Sequence, residues 1–247
     1  MLSQAEKGGV QNTIQNCVTV LQNDPILADS IRLNLLSERI DIVKPMGWQR
    51  SGPTLTDTDM MYILRRMEKY GLYSEKRVSA AIRIVANENH YHPIRDYLND
   101  LKWDSAERIS HALHRFLGAA EDELTAEALK IFLLGAIKRV FHPGCKFEMM
   151  LCLVGGQGAG KSSFFRLLAI KDEWFSDDLR RLDDDNVFRK LQGHWIMEMS
   201  EMIATANAKS IEEIKSFLSK QKETYKIPYE THPADRLRQC VFAGTTN

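Results

Sequence analysis

The sequence predicts a chain in two parts: a mainly helical domain over 1–118, then over 119–247 an α/β core of parallel strands flanked by helices. Three observations carry this. The first half repeats apolar residues at i, i+3, i+4 and i+7, the period of helices with one buried face. A continuous apolar run, Met149 to Val154, then breaks that period, as a central parallel strand does. That run leads directly into a glycine-rich loop and another amphipathic stretch, the order of a strand–loop–helix unit.

Glu38 to Gly52 alternates Ile40 and Ile42 before Trp48, which predicts a short strand or an irregular packing piece. A helix begins near Thr56, which forms a capping-box start with Asp59; it aligns Met60, Ile63, Leu64 and Met67 and stops at Gly71. A second begins near Ser74 and lines up Val78, Ala81, Ile82 and Val85. A third has Pro93 in its first turn, followed by Ile94, Tyr97, Leu98 and Leu101. A fourth, capped by Asp104 with Glu107 nearby, carries Ile109, Ala112, Leu113 and Phe116 and ends at Gly118. The two helices joined at Gly71 admit a DNA-reading helix-turn-helix or an ordinary antiparallel pair. The commonness of helical hairpins favours the second.

A longer helix is expected from about Glu121 to Phe141, stopped by Pro143 and Gly144. Its centre, Ile131 to Ile137, is apolar all round, which marks burial on several sides. That stretch is too short to span a bilayer, and the polar opening from Met1 to Gly9 is no signal peptide. A cytoplasmic protein with no membrane contact is therefore expected. Cys17, Cys145, Cys152 and Cys240 include no Cys-x-x-Cys pair, which argues against a structural zinc site or a disulfide framework. Cys152, inside the apolar run, reads as a buried thiol. Lysine plus arginine equal aspartate plus glutamate at 33 each, so no broad basic surface for duplex DNA is implied, although a narrow basic channel is compatible with that balance.

Gly155-Gly156-Gln157-Gly158-Ala159-Gly160-Lys161-Ser162, with Ser163 next, fits G-x-x-x-x-G-K-[ST]. In such a phosphate-binding loop, glycines let the backbone turn tightly and aim several N–H groups at phosphate oxygens. Lys161 supplies a point charge to the β- and γ-phosphates and Ser162 a hydroxyl to magnesium. The helix that follows points the positive end of its dipole at the same anion. The fold expected is thus that of a P-loop NTPase core.

Cleavage of a triphosphate also needs acids at the tip of a neighbouring strand, and Trp195 to Glu201 offers Glu198 and Glu201. Glu198 would hold magnesium through water and Glu201 would polarise the attacking water. Residues three apart face opposite sides of a strand, so both serve only if the strand ends between them; otherwise one is a surface glutamate. The chain closes on Val241 to Asn247, a further apolar strand with a polar tip, where Asn247 would sense the γ-phosphate. His90, His92, His111 and His114 do not have strict ligand spacing for zinc, and Asp183 to Asp185 reads as a helix start rather than a calcium loop.

Together these segments resemble the virulence-associated protein E family, the ATPase part of phage and mobile-element primase-helicases, which is similar to superfamily 3 helicases and more distantly to the AAA+ class. The resemblance rests on His92–Asp104, His142–Gly144, the glycine loop, Trp195–Glu201, Phe217–Ser219, Pro228–Tyr229 and Phe242–Asn247. It implies ATP with Mg2+ as the nucleotide, single-stranded DNA or a DNA fork as the track, and a homo-oligomeric ring, usually a hexamer. It also implies a DNA-gripping hairpin ahead of the sensor strand, here Lys220 to Arg238, with Lys222, Tyr225 and Lys226 as DNA contacts. Relatives usually carry an upstream primase and continue past the sensor strand. The resemblance therefore implies a separate primase, a core truncated at its C-terminus, an arginine finger beyond Asn247 and weak hydrolysis. Two other expectations compete. One is a non-motor P-loop protein, a small-molecule kinase or nucleotide-dependent switch, for which Arg180 and Arg181 are the one arginine pair after the loop. The other is an inactive fragment serving as a DNA-binding or assembly module.

Overall fold

A computed structural model describes residues 2–4, 8–179, 182, 187–200, 208–225 and 234–247. The chain divides between Asp96 and Tyr97 into two units. The first holds helix α1 (Ile14–Asn23), strands β1 (Ile31–Asn34) and β2 (Arg39–Ile42), and helices α2 (Asp57–Met67) and α3 (Glu75–Glu88). Helix α4 (Pro93–Asp100) crosses the division.

Local chemistry sets these elements. Thr56 and Asp59 form the expected capping box, each side chain accepting the other's backbone N–H. Gly71, at φ 75°, ends the turn after α2 in the left-handed region that glycine tolerates. Val78, Ala81, Ile82 and Val85 of α3 are all buried with Ile63 and Met67 of α2. The strand expected near Ile40 is β2, paired antiparallel with β1 in the register Ile31↔Ile42. Helix α1 and β1 complete this core with Cys17, Leu21 and Ile31.

The second unit continues with α5 (Ile109–Leu117), α6 (Glu123–Phe141), β3 (Met150–Val154), α7 (Lys161–Leu168), β4 (Phe175–Ser176), α8 (Val187–Leu191), β5 (Ile196–Ser200) and α9 (Ala208–Ser219). A hairpin of β6 (Lys222–Tyr225) and β7 (Ala234–Leu237) precedes β8 (Val241–Thr246). Four strands form one parallel sheet in the order β3–β8–β5–β4, and β6–β7 is a separate antiparallel pair.

Five expectations differ from the structure. The boundary near residue 118 falls instead between Asp96 and Tyr97, because α5 packs against α6 and so belongs with the sheet. Among the described residues β3 is the outer strand rather than a central one, and Cys152 is exposed rather than buried. Helix α6 is not buried all round: Leu129, Phe132, Ala136 and Val140 are buried, while Leu134 is 57% exposed. Helix α5 starts at Ile109 rather than at Asp104, whose carboxylate instead pairs with Arg108 and accepts the Ala106 amide.

Buried polar contacts fasten α6 to the sheet. Arg139, fully buried, donates to the carbonyls of Cys240 (3.0 Å) and Phe147 (2.8 Å), and Trp195 Nε1 donates to the Ala136 carbonyl (3.0 Å). These bonds hold the starts of β8 and β5, leaving their opposite, C-terminal ends to form the site.

Candidate functional site: the carboxyl end of the parallel sheet

In an open parallel sheet, ligands bind outside the carboxyl ends of the strands. Here β3, β8 and β5 end at Val154, Thr246 and Ser200, with Val154 level with Thr246 and Ser200 level with Thr245. The glycine loop leaves β3 at this edge and enters α7. A cavity of about 570 Å³ opens there, lined by residues 157–163 together with Ser200, Thr245, Thr246 and Asn247.

The loop backbone is set by glycine at two positions: Gly158 and Gly160 lie at φ 82° and 81°, where a side chain would be strained. Gly160 is also the N-cap of α7 and offers no capping side chain. The first N–H groups of the helix, which have no intrahelical acceptor, therefore face the cavity with the positive end of the helix dipole. Lys161 Nζ is held by the loop itself, donating to the carbonyls of Gly155 and Gly156 (2.9 Å to the latter) and to Asn247 Oδ1 at 3.4 Å. Lys161 and Asn247, far apart in sequence, thus meet at the cavity.

Glu198 is the pivotal acid. It lies on β5, is fully buried, and one oxygen accepts two hydroxyls, from Ser162 Oγ at 2.7 Å and Thr245 Oγ1 at 2.5 Å. Its other oxygen, Oε2, is buried with no hydrogen-bond partner. A buried carboxylate oxygen left unsatisfied costs about 1–3 kcal/mol or more. A polar atom so placed, beside a hydroxyl with free lone pairs, is what a cation site needs.

The structure thus brings together the loop residues, Lys161, Ser162, Ser163, Glu198 and Asn247. Glu201, Lys226, Arg180, Arg181 and Asp183–Asp185 lie outside the described residues, as does the side chain of Tyr225, whose backbone is in β6. The Lys222 ammonium pairs with Asp235 across the hairpin, both side chains about half exposed. Arg238 is buried and paired with Glu223. His111 and His114 face Glu121, at 3.0 Å and 3.9 Å. Ser200 and Thr245 were missed by sequence reasoning. Thr245 is a polar residue near the end of the otherwise apolar β8, but its acid partner depends on strand order.

The family model for the virulence-associated protein E-like domain matches residues 98–247. The chain belongs to the virulence-associated protein E-like family. The match begins next to the division between the two units, so the family domain and the sheet-bearing unit coincide.

Among solved structures, the A form apo structure of the NrS-1 C terminal region matches 93% of this chain and 56% of its own length, at 13% identity and TM-score 0.53. A second apo structure of that region matches 96% of this chain and 58% of its own, at 13% identity and TM-score 0.55. The likeness is one of fold, and this virulence-associated protein E-like chain spans under two thirds of those structures' length. No curated protein sequence matches it. Among the described residues no helix is long and apolar enough to cross a membrane.

Proposed function

We propose that the chain is an ATP-hydrolysing subunit of a DNA helicase or translocase, acting on single-stranded DNA or a fork in replication of a phage or mobile element. The single observation that carries the nucleotide half is the buried Glu198 with one orphaned oxygen beside Ser162, at the mouth of the glycine loop. Membership of the virulence-associated protein E-like family supports the DNA half. A homo-oligomeric ring, usually hexameric, and a separate primase belong to the same proposal.

The residues fit ATP with Mg2+. The cavity of about 570 Å³ is of the size that takes a small ligand, about 300–1,000 Å³. Cationic Lys161 and the helix N–H groups suit phosphates, and Ser162 with Glu198 suits a hard cation. Ser162 would hold Mg2+ directly and Glu198 would hold it through water, relieving the orphaned oxygen. The bound metal would neutralise charge on the β- and γ-phosphate oxygens.

Hydrolysis by these residues is a direct displacement. Lys161 leaves the loop carbonyls for the phosphate oxygens, and the amides at the start of α7 hold the same groups. A water oxygen, oriented by Asn247, bonds to the γ-phosphorus while the bond from that phosphorus to the β,γ-bridging oxygen breaks. The electron pair leaves with ADP, and Glu201, the residue after β5, takes the water proton.

Thermal melting with ATP and graded Mg2+ tests the site. Wild type is expected to be stabilised and Lys161→Ala not. Glu198→Gln is expected to bind ATP but require about 10–100-fold more Mg2+, the usual scale for losing an outer-sphere partner. An unchanged Mg2+ requirement in Glu198→Gln would contradict the assignment.

A further inference from the structure

The first unit contains an aromatic surface that the ATP site does not use. Between β2 and α2 the chain makes an irregular loop, and Asp59, 2% exposed, fixes it from the first turn of α2. Its carboxylate accepts Trp48 Nε1 at 2.7 Å and Arg50 Nε at 2.8 Å. Arg50 also donates to the carbonyls of Ile42 (3.1 Å) and Pro53 (3.0 Å), closing the loop on itself. Trp48, so anchored, lies parallel to Tyr62 of α2, with ring centroids 4.9 Å apart and planes 8° from parallel. Tyr62 remains 39% exposed, and a hollow of about 480 Å³ adjoins Trp48, floored by Met46, Pro45 and Pro53.

Charge follows the aromatics. Arg65, whose guanidinium lies 5.9 Å from the Tyr62 ring centroid, and Lys69 follow Tyr62 at i+3 and i+7, both exposed. Lys69 lies in the 3-10 turn that follows α2, and Tyr73, beyond Gly71, is itself 69% exposed. Neighbouring cations are engaged inward: Arg66 pairs with Asp24 and Arg77 donates to the Asn12 carbonyl. Arg65 and Lys69 have no carboxylate partner among the described residues.

We propose that Tyr62, backed by Trp48, is a stacking platform for an unpaired base of a single-stranded nucleic acid, with the Arg65 guanidinium moving aside from over the Tyr62 ring to take phosphates together with Lys69. A rigid ring flanked by cations binds such strands with little sequence preference, and holding the ring in advance lowers the ordering cost of binding. The choice of nucleic acid over another partner rests on the DNA half of the function proposed above; the platform itself is separate from the ATP site.

The test is fluorescence anisotropy of the full chain, without nucleotide, with a labelled oligothymidylate and a base-free strand of equal length. Wild type is expected to prefer the oligothymidylate. Tyr62→Ala is expected to lose affinity for it roughly five- to a hundredfold, the range of one stacked base, and to bind both strands alike. Tyr62→Phe restores the preference, and Arg65→Glu weakens both strands equally. Equal affinity of Tyr62→Ala and wild type for oligothymidylate overturns the platform, as does a wild type that binds both strands alike. Capture of a proline-rich peptide at Trp48 in place of any strand also overturns it. ATP turnover without DNA, unchanged in Tyr62→Ala and lost in Lys161→Ala, separates the outcomes. Turnover stimulated by DNA with no Tyr62 dependence sinks the platform alone. Tyr62-dependent binding without turnover sinks the motor alone.

Discussion

Glu198 depends on two hydroxyls from different strands or helices, Ser162 and Thr245, sharing one of its oxygens. Thr245→Val removes one donor from a buried carboxylate and is expected to cost about 1–3 kcal/mol, read as a lower urea midpoint of the nucleotide-free chain. An unchanged midpoint would show that Thr245 does not support the acid. A second residue-scale prediction concerns pH. Burial pushes the Asp24 carboxyl up, but Arg66, Tyr70 and the amides of Ile26 and Leu27 outweigh it and lower its pKa to about 2. Because the folded value lies below the unfolded one, the stabilisation is present above about pH 4 and is lost as pH falls through 2. Asp59 is shifted the same way by Arg50 and Trp48 against the effect of burial. Urea midpoints are therefore expected to fall below pH 4, with Asp24 contributing about 2 kcal/mol, and Asp24→Asn is expected to flatten that acid limb. Residue-level chemistry was legible wherever spacing alone sets it: the glycine loop, Lys161, Ser162 and the Thr56–Asp59 box are local patterns. Thr245 was not, since its role exists only once β8 lies beside β5.

Among elements, α6 shows where the apolar pattern misleads. Its stripe is apolar on every side, yet Leu134 stays 57% exposed while Leu129, Phe132, Ala136 and Val140 are buried. Composition reports what a helix could bury, and the neighbours decide what it does bury. Gly135 adds a constraint invisible in the sequence: a Cβ there would meet the ring of half-buried Phe147. Gly135→Ala gains helix propensity worth up to about 1 kcal/mol, but overpacking typically costs about 1–3 kcal/mol. A lower Tm is expected, and a raised one would show that the Phe147 ring swings clear. At α2 the local signal was complete, since cap, stripe and Gly71 stop all lie within one short window. At α5 it was not, because Asp104 pairs with Arg108 instead of capping a helix.

For the whole molecule, every described residue of the proposed ATP site falls in the second unit and in the stretch shared with the virulence-associated protein E-like family. A piece covering 93–247, which keeps α4 whole, is accordingly expected to bind MgATP about as tightly as the full chain in a thermal-shift titration. Loss of binding would make the first unit part of the nucleotide site. The change from helical period to apolar run was legible, but it falls inside the second unit. The place of the division was not legible, because amphipathic stripes show that α5 is a helix without showing which core it joins. Strand order was likewise hidden: β8, last in sequence, pairs between β3 and β5 through crossovers that no local window records.

On the proposed function, the orphaned Glu198 and the Lys161 loop belong to an ATPase driven by DNA. ATP turnover by the full chain, with and without single-stranded DNA, tests it most directly, using Lys161→Ala and Glu198→Gln as controls. Turnover is expected to rise with DNA in wild type, to be abolished in Lys161→Ala and to be strongly reduced in Glu198→Gln at ordinary Mg2+. Wild-type turnover that ignores DNA, or DNA-stimulated turnover that survives Lys161→Ala, would contradict it.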